Sequence, residues 1–353
     1  MKVAILGGGA IGITYAAMLT RSGHDVVLWS ETAGPLNDTI YVEGAFSFSG
    51  HIHQDSDLRK AVQNADVLIC ARGARGTQDL IDQLVPLTTS GQTLIFSAEL
   101  SLCSAYADQL LKSAGKQVPI MSWSTTVVTA RRIAADRISC GTVRDRVDYA
   151  VTAARVPDDS QTVLGGLFNT EFRELPSALA VALSNLNPPI HLANALANLT
   201  RIEKAENWEN YAGITPSVGR VIEALDLERL ALAAHFGLKV RTVFEHYLST
   251  FPGITAGPVT AMASQVSSKG PSVPGPRSLD TRYLTEDIPF GLVPLVHIAG
   301  LVGVDMPLHK AGIRLASVYA GQDFGAENRM LGAVSEHLKT HKSPCQTIPS
   351  GPA

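Results

Sequence analysis

The chain has 353 residues, enough for about two domains at roughly 150 residues each. Hydrophobic residues make up 45% and charged residues 17%, which excludes a predominantly disordered chain. A formal net charge of −3 and a pI near 6.4 exclude a general affinity for nucleic acid or anionic membrane.

Residues 2–6, KVAIL, read as a short buried strand. The turn Gly7-Gly8-Gly9-Ala10-Ile11-Gly12 follows, then an apolar helix through Leu19 and a second strand from Val26 to Trp29. This strand–turn–helix–strand order within about 30 residues is the setting that gives a G-x-G-x-x-G run its meaning. Gly7 permits the tight turn, Gly9 lets the backbone approach a pyrophosphate, and Gly12 lets the helix pack close to the sheet. Free N–H groups at Ala10 and Ile11 then face the phosphates from the helix N-terminus. The second strand ends in Trp29-Ser30-Glu31, the place of the ribose contact. Ser30 can bond a 2′-hydroxyl or a 2′-phosphate, while Glu31 favours the hydroxyl, so NAD and NADP both stand as cofactors.

Further buried parallel strands are expected at 65–71, 92–98 and 118–124. Ligands in such sheets sit beyond the C-terminal strand ends, so Arg72 and Arg75 are candidates for cofactor or carboxylate contacts, against the reading of a solvated loop. The stretch RISCGTVRDRVDYAVTAAR alternates and should extend the edge of this sheet. His51 and His53 have metal-pair spacing but no third ligand nearby; an exposed strand is the expectation, with no metal.

From about residue 177 apolar residues recur at helical spacing, through 179–202, 217–236 and 240–248. The Gly/Pro/Ser-rich 264–278 reads as a loop, and helices resume across 291–303 and 307–320. The expected architecture is an α/β Rossmann-type dinucleotide-binding domain, 1–176, followed by an all-α helical domain, 177–342. A disordered tail, 343–353, completes it. The active site is expected in the cleft between the domains.

Cys70, Cys103, Cys140 and Cys345 are spread widely with no CxxC pair and read as free thiols of a reducing compartment. The chain enters a strand directly rather than a basic, then apolar, signal segment. No run reaches the ~18 clean apolar residues of a membrane span; IPFGLVPLVHIAGLVGV is broken by prolines, glycines and His297. The expected location is cytoplasmic.

Hydride transfer to C=O or C=N needs a nearby acid, and histidine suits that role near neutral pH. His191 is a candidate by position, weighed against a satisfied structural histidine; what would raise it is a carboxylate that orients the ring. His235, His246, His297 and His309 compete. His235 sits at an expected helix end, and His297 and His309 lie among apolar helix residues. The cluster TRYLTEDIPFG, 281–291, packs Arg282, Tyr283, Glu286 and Asp287 together. It reads either as the cap of a helix starting at Pro289, or as the carboxylate and arginine that such a site requires.

Three blocks carry a resemblance: NPPIHLANALAN (187–198), YAGITPSVGRVIEALDLERLALAAHFGL (211–238) and TRYLTEDIPFGLVPL (281–295). With the glycine turn before them, they resemble the octopine/nopaline (opine) dehydrogenase family. The pattern is most similar to its short bacterial members, which join amino acids to pyruvate as N-(1-carboxyethyl) amino acids. The resemblance implies that His191 is the acid/base and Asp287 its carboxylate partner. It places Arg282 where a substrate carboxylate could bind, and Tyr211 and Thr215 in a block that lines the cleft. The bland reading of Thr215 beside Pro216 is a helix cap. Two features depart from the family pattern: Leu192, not proline, follows the histidine, and Glu99 stands where a glycine-rich loop is common.

The implied activity is NAD(P)H-dependent condensation of an amino acid with a 2-keto acid, pyruvate foremost, through an imine, and the reverse oxidation. Small-molecule substrates are the expected partners, without nucleic acid or membrane; homodimerisation is left open. Two alternatives stand beside it. One is a ketopantoate reductase-like or glycerol-3-phosphate dehydrogenase-like enzyme, which would need a lysine such as Lys204 or Lys239. The other is a non-catalytic dinucleotide-binding redox sensor, which would need neither member of the dyad.

Overall fold

The computed structural model describes residues 1–31, 34, 36–153, 160–270 and 272–340. The chain divides into two compact units, Met1–Ala182 and Leu183–Ala353. The tail from 341 onward, with Cys345, lies outside the described residues.

Among the described residues, twelve strands lie in the first unit. They are β1 (Lys2–Leu6), β2 (Asp25–Trp29), β3 (Ile40–Gly44), β4 (Phe48–Gly50), β5 (Gln54–Asp55), β6 (Val67–Cys70), β7 (Thr93–Ser97), β8 (Ile120–Trp123), β9 (Val128–Arg132), β10 (Arg137–Val143), β11 (Arg146–Ala153) and β12 (Glu171–Glu174). Eight of them form one sheet in the order β12-β11-β8-β7-β6-β1-β2-β5. From β8 to β5 all neighbours are parallel, and the two central strands, β1 and β6, are buried along nearly their whole length. That explains why these strands read as continuous apolar runs: both faces are covered. Below them, Trp123 meets Tyr15 and Phe168 edge-on, at 6.2 and 5.8 Å between ring centroids. The Tyr15 hydroxyl shares a 2.8 Å hydrogen bond with Ser97 and accepts one from the Val127 amide. This ties the first helix, Ala10–Arg21, to the end of β7.

Two expectations for this unit change. The alternating stretch 137–153 does not form one edge. β11 pairs antiparallel with β8 in the large sheet, whereas β10 joins a separate four-stranded sheet, β4-β3-β10-β9. Alternation records a half-buried strand but not which sheet buries it. His51 and His53 are exposed as expected, yet they sit in irregular chain between β4 and β5 rather than in a strand.

The second unit is helical. Its longest element, Pro216–His235, carries the fully buried Arg229. The guanidinium is paired with Asp226 at 2.6 Å and donates to the carbonyls of Leu183 and Arg241. Asp226 in turn accepts from the Val243 amide, fastening the helix Val243–Thr250. A buried charge is tolerable when paired and hydrogen-bonded in this way.

Here too the local pattern misleads in places. Residues 264–269 are helical, because the helix Val259–Lys269 buries Met262, Ala263 and Val266 before the Gly/Pro-rich stretch begins. The cluster 281–291 does not cap a helix at Pro289. A short helix, Arg282–Thr285, starts under Thr281, whose side chain accepts from the Tyr283 amide. A π-helical turn, Asp287–Leu292, then leads into the helix Val293–Val302. Pro289 is absorbed by that turn; Pro294 opens the next helix without an N–H to donate, and the Pro289 carbonyl accepts from Asn328 Nδ2 at 2.9 Å. The result is a continuous 21-residue helical run, Arg282–Val302, of mean hydropathy 1.3. By length and composition alone it could cross a membrane, although Arg282, Glu286 and Asp287 keep it short of the clean apolar run of a span. Leu284, Ile288 and Leu292 within it are instead packed in the core of this unit.

Candidate active site

The glycine turn of the first unit sits at the C-terminal end of β1. Gly7 has φ +142°, a conformation that L side chains rarely adopt, and a Cβ there would overlap the Ala71 carbonyl. A Cβ on Gly12 would overlap the Gly7 carbonyl. At Gly9, by contrast, a Cβ would meet nothing within 4 Å, so the backbone faces open space there. Gly9 is the N-cap of the helix, Ala10 and Ile11 open its first turn, and its end holds no acidic side chain. A cavity of about 240 Å³ adjoins it, lined by Gly7–Gly9, Trp29, Ser30, Glu31, Ala71, Arg72 and Gly73. The structure thus brings the cofactor candidates of β1, β2 and the loop after β6 to one cavity. Arg72 is a partly exposed loop residue whose guanidinium pairs with Glu31 at 2.7 Å.

Glu99 follows β7 by two residues. It is 1% exposed; Oε1 accepts from the Ser104 amide at 3.3 Å, while Oε2 has no hydrogen-bond partner among the described residues. Burial pushes its carboxyl up to about 7, against the hydrogen bonds that favour the charge. Where a glycine-rich loop is common, the chain thus places a buried acid whose neutral form is favoured over that of an ordinary carboxylate.

In the second unit His191 lies in the helix Asn187–Ala197, which begins with Pro188 and Pro189 in its first turn. The departure from the family pattern has a packing reason. Leu192 is 1% exposed and its tip lies against Gly312, where a Cβ would not fit without displacing it. Proline at 192 would lack that branched side chain. The imidazole keeps 12% of its exposure, and its Nδ1 is 2.7 Å from Oδ2 of Asp287, which is 4% exposed. A carboxylate only accepts, so Nδ1 carries a hydrogen and Nε2 is the free nitrogen, able to exchange a proton. The Tyr283 ring lies flat on the imidazole, 3.6 Å away and 7° from parallel.

Arg282 is exposed, and its guanidinium makes no ion pair with a described residue. Tyr211 and Thr215 come together on a second cavity of about 420 Å³, with Ile214, Thr260 and Ser264. Thr215 is the N-cap of the long helix by backbone conformation, but its hydroxyl makes no capping bond. Two of the competing histidines pair with other side chains. His297 shares a 2.8 Å bond with Ser335, and the fully buried His309 is 2.7 Å from Glu228. Lys204 and Lys239, which the reductase alternative requires, are both exposed.

Comparisons with known proteins show what the two halves of the chain are similar to. Residues 174–320 match the family model described as NAD/NADP octopine/nopaline dehydrogenase, alpha-helical domain. Residues 2–99 match that of the NAD-dependent glycerol-3-phosphate dehydrogenase N-terminus. An opine dehydrogenase of Arthrobacter sp. (strain 1C) is 29% identical over 338 residues, 93% of each chain. Over residues 174–320 the chain is similar to the octopine/nopaline dehydrogenase family. Two solved structures share the fold of this chain. An octopine dehydrogenase with NADH and L-arginine superposes with TM-score 0.78 at 18% identity, covering 94% of both chains. A yersinopine dehydrogenase with NADP+ bound superposes with TM-score 0.73 at 17% identity, covering 96% of this chain and 99% of the other.

Sequence reasoning missed the stacked Tyr283, though a signal was present: Tyr283 and Asp287 are four residues apart, one helical turn. It also missed the His309–Glu228 pair, since 81 residues separate its members.

Proposed function

We propose that the chain is an NAD(P)H-dependent opine dehydrogenase. The amine of an amino acid condenses with a 2-keto acid, pyruvate first among them. The imine is reduced to an N-(1-carboxyalkyl) amino acid, and the reverse oxidation returns both substrates. The observation that carries this reading is the 2.7 Å bond between His191 and Asp287, with Nε2 left free. Water must leave before the imine forms, and the carbinolamine hydroxyl departs only when protonated; Nε2–H of His191 is placed to give that proton. Asp287 stabilises the imidazolium before the transfer and holds the ring afterwards. Arg282 offers a guanidinium fork to a substrate carboxylate. Tyr211 and Thr215 contribute to substrate binding.

The glycine turn, the helix N-terminus and the cavity beside Glu31 fit a dinucleotide, with Gly9 leaving room for the pyrophosphate. Bound there, the reduced nicotinamide supplies the hydride. Ser30, Glu31 and Arg72 flank the ribose position and serve NAD or NADP. The reading carries with it the division into a cofactor domain, 1–176, and a catalytic domain, 177–342, a cytoplasmic location, and a homodimer as assembly.

The test is oxidation of NADH and NADPH followed with pyruvate and a panel of amino acids, and with pyruvate alone. Turnover is expected only when both substrates are present. Equal turnover with the keto acid alone would overturn the proposal in favour of a simple keto-acid reductase.

A further inference from the structure

The flat contact between Tyr283 and His191 has support behind it. The Tyr283 hydroxyl donates to Asn210 Oδ1 at 3.2 Å. Burial pushes that phenol up to about 12, so it keeps its proton. Asn194 Nδ2 donates to the Asn210 carbonyl and to its Oδ1, both at 3.0 Å. Asn198 Nδ2 donates to Asn194 Oδ1 at 2.9 Å and to the Gly213 carbonyl at 3.2 Å. All three asparagines are at least nine-tenths buried. A buried amide chain of this kind is costly unless its partners are met, and here it ends on the tyrosine that covers the histidine.

One hydrogen bond at Nδ1 fixes a single atom of the imidazole and leaves the ring able to tilt about that bond. A second ring held parallel against its face removes the tilt. Resting on the proposed function above, we propose that Tyr283 is a positioning residue for His191. Its ring, anchored through Asn210, sets the imidazole plane and closes one face, so that the Nε2 edge alone is presented for proton transfer. Catalysis is sensitive to such placement, since a displacement near 1 Å can cost about 10²-fold in rate.

The test compares Tyr283→Phe, which keeps the ring, with Tyr283→Leu and Tyr283→Met, which fill space without one. Assays use amino acid, pyruvate and NADH, with and without His191→Ala in the same chain. Tyr283→Phe should retain most of kcat, whereas Leu and Met should each lose about tenfold or more with KM for NADH unchanged. Added to His191→Ala, Tyr283→Leu should cause no further loss, because nothing remains to be positioned. Nuclear magnetic resonance of histidine-labelled protein gives a readout that does not depend on any variant at 283. The His191 ring protons, assigned by their absence in His191→Ala, should be shifted upfield by the ring above them. Leu and Met variants with wild-type kcat would overturn the positioning role. So would equal losses in the Phe and Leu variants, or unshifted His191 protons in the wild type. Failure of the underlying reading is separable: it would show as wild-type turnover in His191→Ala alone.

Discussion

Glu99 shows how burial changes what one residue does. In the folded chain its carboxyl is pushed up to about 7 by burial, above its ordinary value of 4.5. Folding therefore favours the protonated form. The stability from this group is fully present below the unfolded value and is lost as pH rises through the folded one. A shift of this size corresponds to something on the order of 3 kcal/mol lost between pH 4.5 and above 7. Glu99→Gln keeps the shape and removes the charge. It should unfold at higher urea concentration than wild type at pH 8, and the two should converge near pH 5. An equal urea midpoint at pH 8 would show that the carboxylate is solvated after all. Glu228 titrates with the opposite sign. The hydrogen bonds it accepts from His309 and from the Leu308 and His309 amides outweigh its desolvation and hold its carboxyl below the usual range. Its contribution is present above the unfolded value and lost as pH falls through the folded one.

At the scale of elements, the first strand, turn and helix act as one device. Gly12 lies in the first turn of the helix Ala10–Arg21, directly over Gly7, and a Cβ there would overlap backbone rather than a flexible side chain. The helix cannot yield cheaply, because Ile13, Ala16 and Ala17 are fully buried on its sheet side. Gly12→Ala should therefore push the helix N-terminus away from the turn and weaken NADH binding by about tenfold or more, measured by fluorescence titration. Binding at wild-type strength would mean that the turn does not carry the pyrophosphate. The π-helical turn Asp287–Leu292 is a second such device. It follows a short α-helix, so Tyr283 and Asp287 stay a turn apart while Pro289 is accommodated without breaking the run. Both residues thereby reach the same imidazole.

For the whole molecule, the proposed function assigns separable tasks to the two units. His191→Ala should lower turnover by about 10²-fold or more while leaving NADH affinity within experimental error of wild type. Gly12→Ala should do the reverse, with the lost rate recovered in part at high NADH. The pair of variants, measured by steady-state kinetics and by titration, distinguishes a site of chemistry from a site of binding. An His191→Ala enzyme with wild-type kcat would return the histidine to a structural role.

The glycine turn and its flanking strands were legible in the sequence, because backbone approach demands glycine at fixed offsets and both-sided burial demands continuous apolar runs. The helical texture of the second half was legible for the same kind of reason. Its boundaries were not: burial of Met262, Ala263 and Val266 carried a helix into a Gly/Pro/Ser-rich stretch, and a π-helical turn absorbed Pro289. His191 by itself remained one histidine among several, and only the resemblance of TRYLTED to a family block named Asp287 as its partner. Tertiary structure decided the rest. It placed Asp287 at 2.7 Å from Nδ1, laid Tyr283 on the ring, paired Arg72 with Glu31, and enclosed Glu99. Each is a contact between residues that local periodicity does not relate. Spacing along the chain specifies which face a residue shares with its near neighbours, but not which distant residue will meet it there.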